Sequence, residues 1–250
     1  MVKSVALHDI SWAHVAAAER WYYRSHGPEI ARRYGPWLSR FESYMPVAPP
    51  FGGPAVGFLN WRVTESFWRE LPAPGAQGNL SFTLPPTPAR VAACFVPSQP
   101  TEDFCGGQFQ PDEKSVLRWC MLFRYPAGTS FEEGEQWFLD VHAKEVMQQP
   151  GLYRFFSYRA IQTPIELPGT WPPGFQGRSF GGGWARYSEL WYENFDEWQR
   201  SVFDSARSYT PPPWTAGGDY PFFEPYVDLV SSFLLERPND EFLRDARGYL

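Results

Sequence analysis

This chain repeats itself, and the repeat limits its possible folds more than any other property. Residues 19–29 read ERWYYRSHGPE and residues 135–145 read EQWFLDVHAKE, so Glu19, Trp21, His26 and Glu29 fall on Glu135, Trp137, His142 and Glu145 at a displacement of 116. Arg40-Phe41-Glu42-Ser43-Tyr44 matches Arg154-Phe155-Phe156-Ser157-Tyr158 at a displacement of 114, and Trp61 and Trp68 keep the seven-residue spacing of Trp191 and Trp198. The pattern predicts two tandem copies of one unit, at 1–105 and 112–250, with 97–111 as the connector.

Each copy gives the same order of elements. Residues 3–9 and 115–125 are short β-rich runs, and 12–31 and 131–148 place apolar residues at helical spacing. Residues 41–47 and 155–161 read as second strands, 58–63 and 186–191 as third strands, each leading into a short helix bearing Trp68 or Trp198. Residues 90–96 and 226–235 complete the units. That order is β-α-β-β-α-β, the ferredoxin-like unit, and the fold class is α+β. A four-stranded antiparallel sheet with helices on one side leaves its other face bare, so two such sheets in one chain are expected to pack face to face as an α+β barrel.

Strand alternation predicts what lies between the sheets. In the first strand Val5 and Leu7 would face the helices, leaving Ser4, Ala6 and His8 toward the other sheet. In its partner Met121 and Phe123 would face the helices, leaving Arg118, Cys120, Leu122 and Arg124 inside. Charged side chains there need partners or water, so the space is expected to be a ligand cavity. A phase inverted by one residue would put the same groups in solvent. With 12 Trp, 13 Tyr and 21 Phe, the chain can line such a cavity with rings.

Composition removes other classes. A net charge of -6 without a run of Lys or Arg disfavours nucleic acid as a partner. Cys94, Cys105 and Cys120 form no paired framework, no window is apolar enough to span a membrane, and no signal-peptide run opens the chain. A cytoplasmic protein is expected, as a monomer with an intrachain barrel or as a homodimer. No GxSxG, Walker loop, GxGxxG or HExxH is present, so serine hydrolase, P-loop and Rossmann readings have no support.

Several residues carry candidate chemistry. His26 and His142 hold equivalent helical positions, and imidazole titrates near neutrality, so either suits general acid–base work. Each precedes a glutamate by three residues, but di-iron bundles need more carboxylates, and no metal site is expected. His8 and Arg124, at matching strand ends, suit proton transfer and an anion clamp, and Arg118 shares that face. Internal ion pairing of these arginines is the competing reading. Tyr44 and Tyr158 repeat as phenol partners or as core tyrosines. Residues 162–183 form a long segment whose Trp171 and Phe175 suit a lid over a ligand.

The segment WFLDVHAKEVMQQPGLYRFFSYRAI, with its W-x4-H helix and proline-glycine turn into an aromatic strand, resembles the EthD-like branch of the dimeric α+β barrel superfamily. Residues 131–161 carry the likeness best, 15–47 carry a degraded copy, and SELWYENFDEWQRSVF resembles that family's third strand and second helix. The resemblance implies a ferredoxin-like fold whose relatives include cofactor-independent monooxygenases, isomerases, cyclases, decarboxylases and haem enzymes. Fold alone does not choose among them. The leading expectation is a cofactor-independent lyase, a decarboxylase of a bulky phenolic or polycyclic aromatic acid: a His or Tyr base removes the phenolic proton while an arginine holds the carboxylate. A cofactor-free or haem-dependent monooxygenase and a non-catalytic aromatic-ligand binder are the alternatives.

Overall fold

The computed structural model describes residues 1–50, 57–72, 86, 89–106, 114–162, 183–204, 209–214 and 228–247. Among them are two five-stranded sheets. The first holds β1 (Val2–Ile10), β2 (Leu38–Tyr44), β3 (Arg62–Trp68) and β4 (Ala89–Pro97), with β10 (Asp240–Glu241) at its edge, in the order β10-β2-β3-β1-β4. The second holds β6 (Leu117–Arg124), β7 (Arg154–Arg159), β8 (Arg186–Tyr192) and β9 (Asp228–Leu235), with β5 (Glu102–Asp103) at its edge, in the order β5-β7-β8-β6-β9. Every pairing is antiparallel.

Each sheet carries one long helical segment between its first two main strands. In the first half α1 (Val15–Trp21) runs through a π-helical turn at Tyr22–His26 into α2 (Gly27–Tyr34). In the second, α3 (Phe131–Trp137) runs through a π-helical turn at Phe138–His142 into α4 (Ala143–Val146). Ser130 caps α3 by accepting from the Glu133 amide, and Asn194 caps α5 (Phe195–Gln199) by accepting from Glu197, both with acidic first turns that suit the helix dipole. A last helix, α6 (Phe242–Arg247), follows β10 directly.

The sheets pack face to face, as the repeat predicts. One buried cluster joins Val5, Leu7, Tyr44, Val63 and Cys94 of the first sheet to Cys120, Leu122, Tyr158, Tyr187 and Leu234 of the second. Backbone hydrogen bonds close both sides: Ile161 donates to Phe95, while Val47 and Leu59 donate to Phe233 and Ser231. At the second seam Gly57 has φ +62, and a Cβ there would lie 2.4 Å from the Leu229 carbonyl oxygen, so only glycine permits the approach.

Three expectations are corrected. The first strand's phase is inverted: Lys3, Val5 and Leu7 face the other sheet, while Ser4 meets the Trp68 indole and His8 meets Thr64 on the helix side. β1 is covered on both faces, so no solvent-facing series marks its phase. The strand register therefore aligns Lys3 with Arg118 and Leu7 with Leu122, since Lys3 and Arg118 face Phe67 and Trp191, and Leu7 and Leu122 face Val63 and Tyr187. Trp68 ends β3 instead of sitting on a helix, so its match to Trp198 of α5 is not structural. Residues 102–103, within the stretch read as a connector, form an edge strand of the second sheet.

Where a chamber is expected between the sheets, four charged side chains meet. Lys3 Nζ lies 3.3 Å from Glu189 and 3.8 Å from Glu65, and Arg118 Nη1 lies 3.2 Å from Glu65 and 3.5 Å from Glu189. All four are buried. Two cations and two carboxylates cancel, and Tyr187 adds a 2.9 Å hydrogen bond to Glu65. The charges facing the barrel interior pair with one another, Arg118 through Nη1 alone, while its Nε and Nη2 are buried without a hydrogen-bond partner.

Candidate functional site

The helix-side compartment of the first half brings together side chains that the sequence keeps far apart. His26 ends the π-helical turn, and its ring stacks on Trp21 at 4.7 Å. Such turns re-aim side chains relative to an ordinary helix and recur at functional positions. From β1, His8 Nε2 lies 3.4 Å from the Thr64 hydroxyl, and its ring meets Trp61 edge-on at 6.0 Å. Trp61 in turn lies 6.4 Å from Trp21 and 5.8 Å from Tyr22. Two imidazoles, the Thr64 hydroxyl and the rings of Trp21, Tyr22 and Trp61 thus form one packed cluster.

Electrostatics keeps both imidazoles neutral. Burial, then the neighbouring His26 and Arg62, lower the His8 pKa to about 3. Burial lowers His26 to about 4, with Glu29 opposing it. At neutral pH each ring has a lone pair to accept a proton. An anion bound beside them would raise that affinity, because an opposite charge favours the imidazolium.

A buried arginine frames the compartment. Arg62, at the start of β3, donates to Glu19 Oε2 at 2.6 Å, to Ser43 Oγ at 2.8 Å and to the Tyr23 hydroxyl at 3.1 Å. The other oxygen of Glu19 accepts from the Trp61 indole at 2.6 Å. One carboxylate therefore ties the helix to both the arginine and the ring that faces His8. Arg186 repeats the arrangement in the second half, donating to Glu135 twice at 2.8 Å and to Ser157 at 2.9 Å. The repeated Glu19 and Glu135 were visible in the sequence without a role, and the arginines were missed. The signal was present as Arg62-Val63-Thr64-Glu65 and Arg186-Tyr187-Ser188-Glu189, a common R-x-[ST]-E run.

The second compartment differs in kind. His142 occupies the place of His26, lying 5.1 Å from Trp137, and burial lowers its pKa to about 3. Ser188 stands where Thr64 does, but Phe123 replaces His8 in the register. Trp119, Met121, Phe123, Phe138 and His142 help line a cavity of about 40 Å³. That is room for about three water-sized groups.

The remaining predicted site residues are dispersed. Arg118 is committed to the inter-sheet ion pairs and lies over the Tyr44 ring at 4.5 Å. Tyr44 donates to Glu42 at 3.2 Å, and Lys3 sits over Tyr158 at 4.2 Å, so both tyrosines belong to the interior between the sheets. Arg124 is exposed and lies over Trp184 at 5.6 Å. Trp171 and Phe175 lie outside the described residues. Among the described residues no three His, Cys, Asp or Glu side chains gather as metal ligands, and no helix is long and apolar enough to cross a membrane.

A family model described as the chalcone isomerase N-terminal domain matches residues 2–84, less than half of the chain. That span contains His8, His26, Trp61 and Thr64. The EthD-like branch is not the family matched. No curated protein matches the chain. Among solved structures, a mutant chlorite dismutase from Candidatus Nitrospira defluvii is 9% identical with a TM-score of 0.44, covering 98% of this chain and 94% of that one. A candidate monooxygenase from Lactobacillus acidophilus is 9% identical with a TM-score of 0.35, covering 96% and 97%. A heme-binding protein from Thermus thermophilus is 10% identical with a TM-score of 0.33, covering 100% and 95%. Overlaps this low add nothing to the functional reading.

Proposed function

We propose that this protein is an enzyme that moves a proton on a phenolic, ring-bearing small molecule without a cofactor, an isomerase in kind, with His8 and His26 as the proton-transfer pair. The observation that carries this is that two uncharged imidazoles belong to one aromatic cluster, His8 against Trp61 and His26 stacked on Trp21, with the two indoles 6.4 Å apart. An isomerisation of this type breaks one bond to hydrogen and forms another, so atoms and electrons balance with no redox partner. One imidazole takes the proton while the aromatic walls hold the substrate ring. The neighbouring imidazole, or the first one again, returns the proton to a different atom. Thr64 is placed to fix the tautomer of His8. The family model named for chalcone isomerase covers these residues and supports the same class of reaction.

Geometry weighs against the decarboxylase expected from sequence. That mechanism needs an arginine open to the substrate carboxylate; Arg118 is buried between the sheets with its Nη1 on Glu65 and Glu189, and Arg124 is exposed.

The test is turnover of a panel of phenolic unsaturated ketones and phenolic acids in D2O, followed by NMR. Incorporation of one solvent deuteron without mass loss is expected, and His26→Ala or His8→Ala should slow it about 10²–10⁴-fold. Release of CO2 would restore the lyase reading, and tight binding without turnover would leave a binder. Wild-type rates in both variants would remove the histidines from the chemistry.

A further inference from the structure

A further internal match becomes meaningful in three dimensions. Thr101-Glu102-Asp103-Phe104 and Asn239-Asp240-Glu241-Phe242 stand at a displacement of 138 and make the same contacts in opposite halves. The Thr101 and Asn239 amides donate to the Ser157 and Ser43 carbonyls, each at 2.9 Å. Their side-chain oxygens accept the amides of Arg159 at 2.8 Å and Met45 at 2.6 Å. Glu102 pairs with Arg186, and Asp240 lies 3.6 Å from Arg62 while accepting from Tyr23 at 2.7 Å. Phe104 meets Phe155 at 4.7 Å and Phe138 at 6.0 Å; Phe242 meets Phe41 at 5.3 Å and Tyr22 at 5.5 Å. Each tetrapeptide follows the last main strand of one sheet and becomes the edge of the other.

We infer that these tetrapeptides are reciprocally exchanged clasps, and that Asp240, delivered from the far end of the chain, is a positioning residue for the His8 and His26 site. This rests on the proton-transfer reading above. Its route is a chain of direct contacts. Asp240 and Tyr23 hold one side of the Arg62 guanidinium, Arg62 holds Glu19, and Glu19 holds the Trp61 indole that faces His8. Without Asp240 the guanidinium is free to rotate toward its remaining partners, and Trp61 shifts with it. The first-half compartment is therefore incomplete until the second half has folded.

The experiment compares full-length Asp240→Asn with the equivalent Glu102→Gln, reading the Trp61 indole N–H resonance, kcat and KM, and Tm. Asp240→Asn should move the Trp61 resonance and lower kcat about tenfold with KM within about twofold, as expected for misplaced groups. Asp240→Glu should restore both, because glutamate does this work in the other half. Tyr23→Phe, a milder change, should move the resonance in the same direction. Glu102→Gln should lower Tm comparably while leaving the resonance and kcat in place. An unmoved resonance in Asp240→Asn, or an equal movement in Glu102→Gln, would overturn the inference. A moved resonance in a protein that turns over no aromatic would sink the proton-transfer reading and leave the clasp standing.

Discussion

His8, His26 and His142 are all driven to the neutral form by burial, with pKa values of about 3, about 4 and about 3 instead of the usual 6.5. The unfolded chain binds protons at these rings below about pH 6.5, whereas the folded one does not, so stability is fully present above that pH and is lost as pH falls toward the folded values. Each ring should contribute a slope of about 1.4 kcal/mol per pH unit across that window. Urea unfolding at pH 7, 6 and 5 should show it, and His142→Leu should flatten the slope by one proton without touching the proposed chemistry. An unchanged slope in that variant would place the ring in water. The equivalence of His26 and His142 was readable from the repeat, but the burial that sets the charge of all three rings was not.

The helices owe their reading to apolar spacing, and the caps Ser130 and Asn194 emerge in the structure. Their π-helical turns were not foreseen, because one extra residue in a turn leaves no compositional mark. Gly27 shows how tightly the elements then fit: a Cβ there would stand 2.3 Å from the Phe242 ring. In an isolated helix alanine would be favoured over glycine by about 1 kcal/mol. Here the ring is held by Tyr22 and Phe41, so overpacking wins, and Gly27→Ala should destabilise by about 1–3 kcal/mol in chemical denaturation. A stabilised variant would mean that α6 moves aside freely.

The charge cluster between the sheets concerns the whole molecule. Burial opposes the charge on Glu65, yet Arg118 and then Lys3 outweigh it and hold the carboxyl below its usual range. Arg118→Met leaves two buried carboxylates facing one ammonium and should cost roughly 3–5 kcal/mol in urea unfolding. Changing Lys3→Met together with Glu189→Gln keeps the remaining Arg118–Glu65 pair balanced and should cost less than the single change. If the single variant unfolded like wild type, the cluster would be solvated and the chamber reading would return.

Order along the chain was enough to specify the doubled α+β architecture, the antiparallel halves and the inward face of β6, since repeats and periodicity are local properties. It also marked His26 and His142 as equivalents. Which way β1 faces was settled by packing alone, because a strand buried on both sides carries no polar series to betray its phase. The same holds for Lys3 against Glu189, Arg62 against Glu19 and Asp240 against Arg62: each pair joins residues 43 to 186 positions apart in the chain, and a charge can be recognised in sequence while its partner is chosen only when the sheets meet.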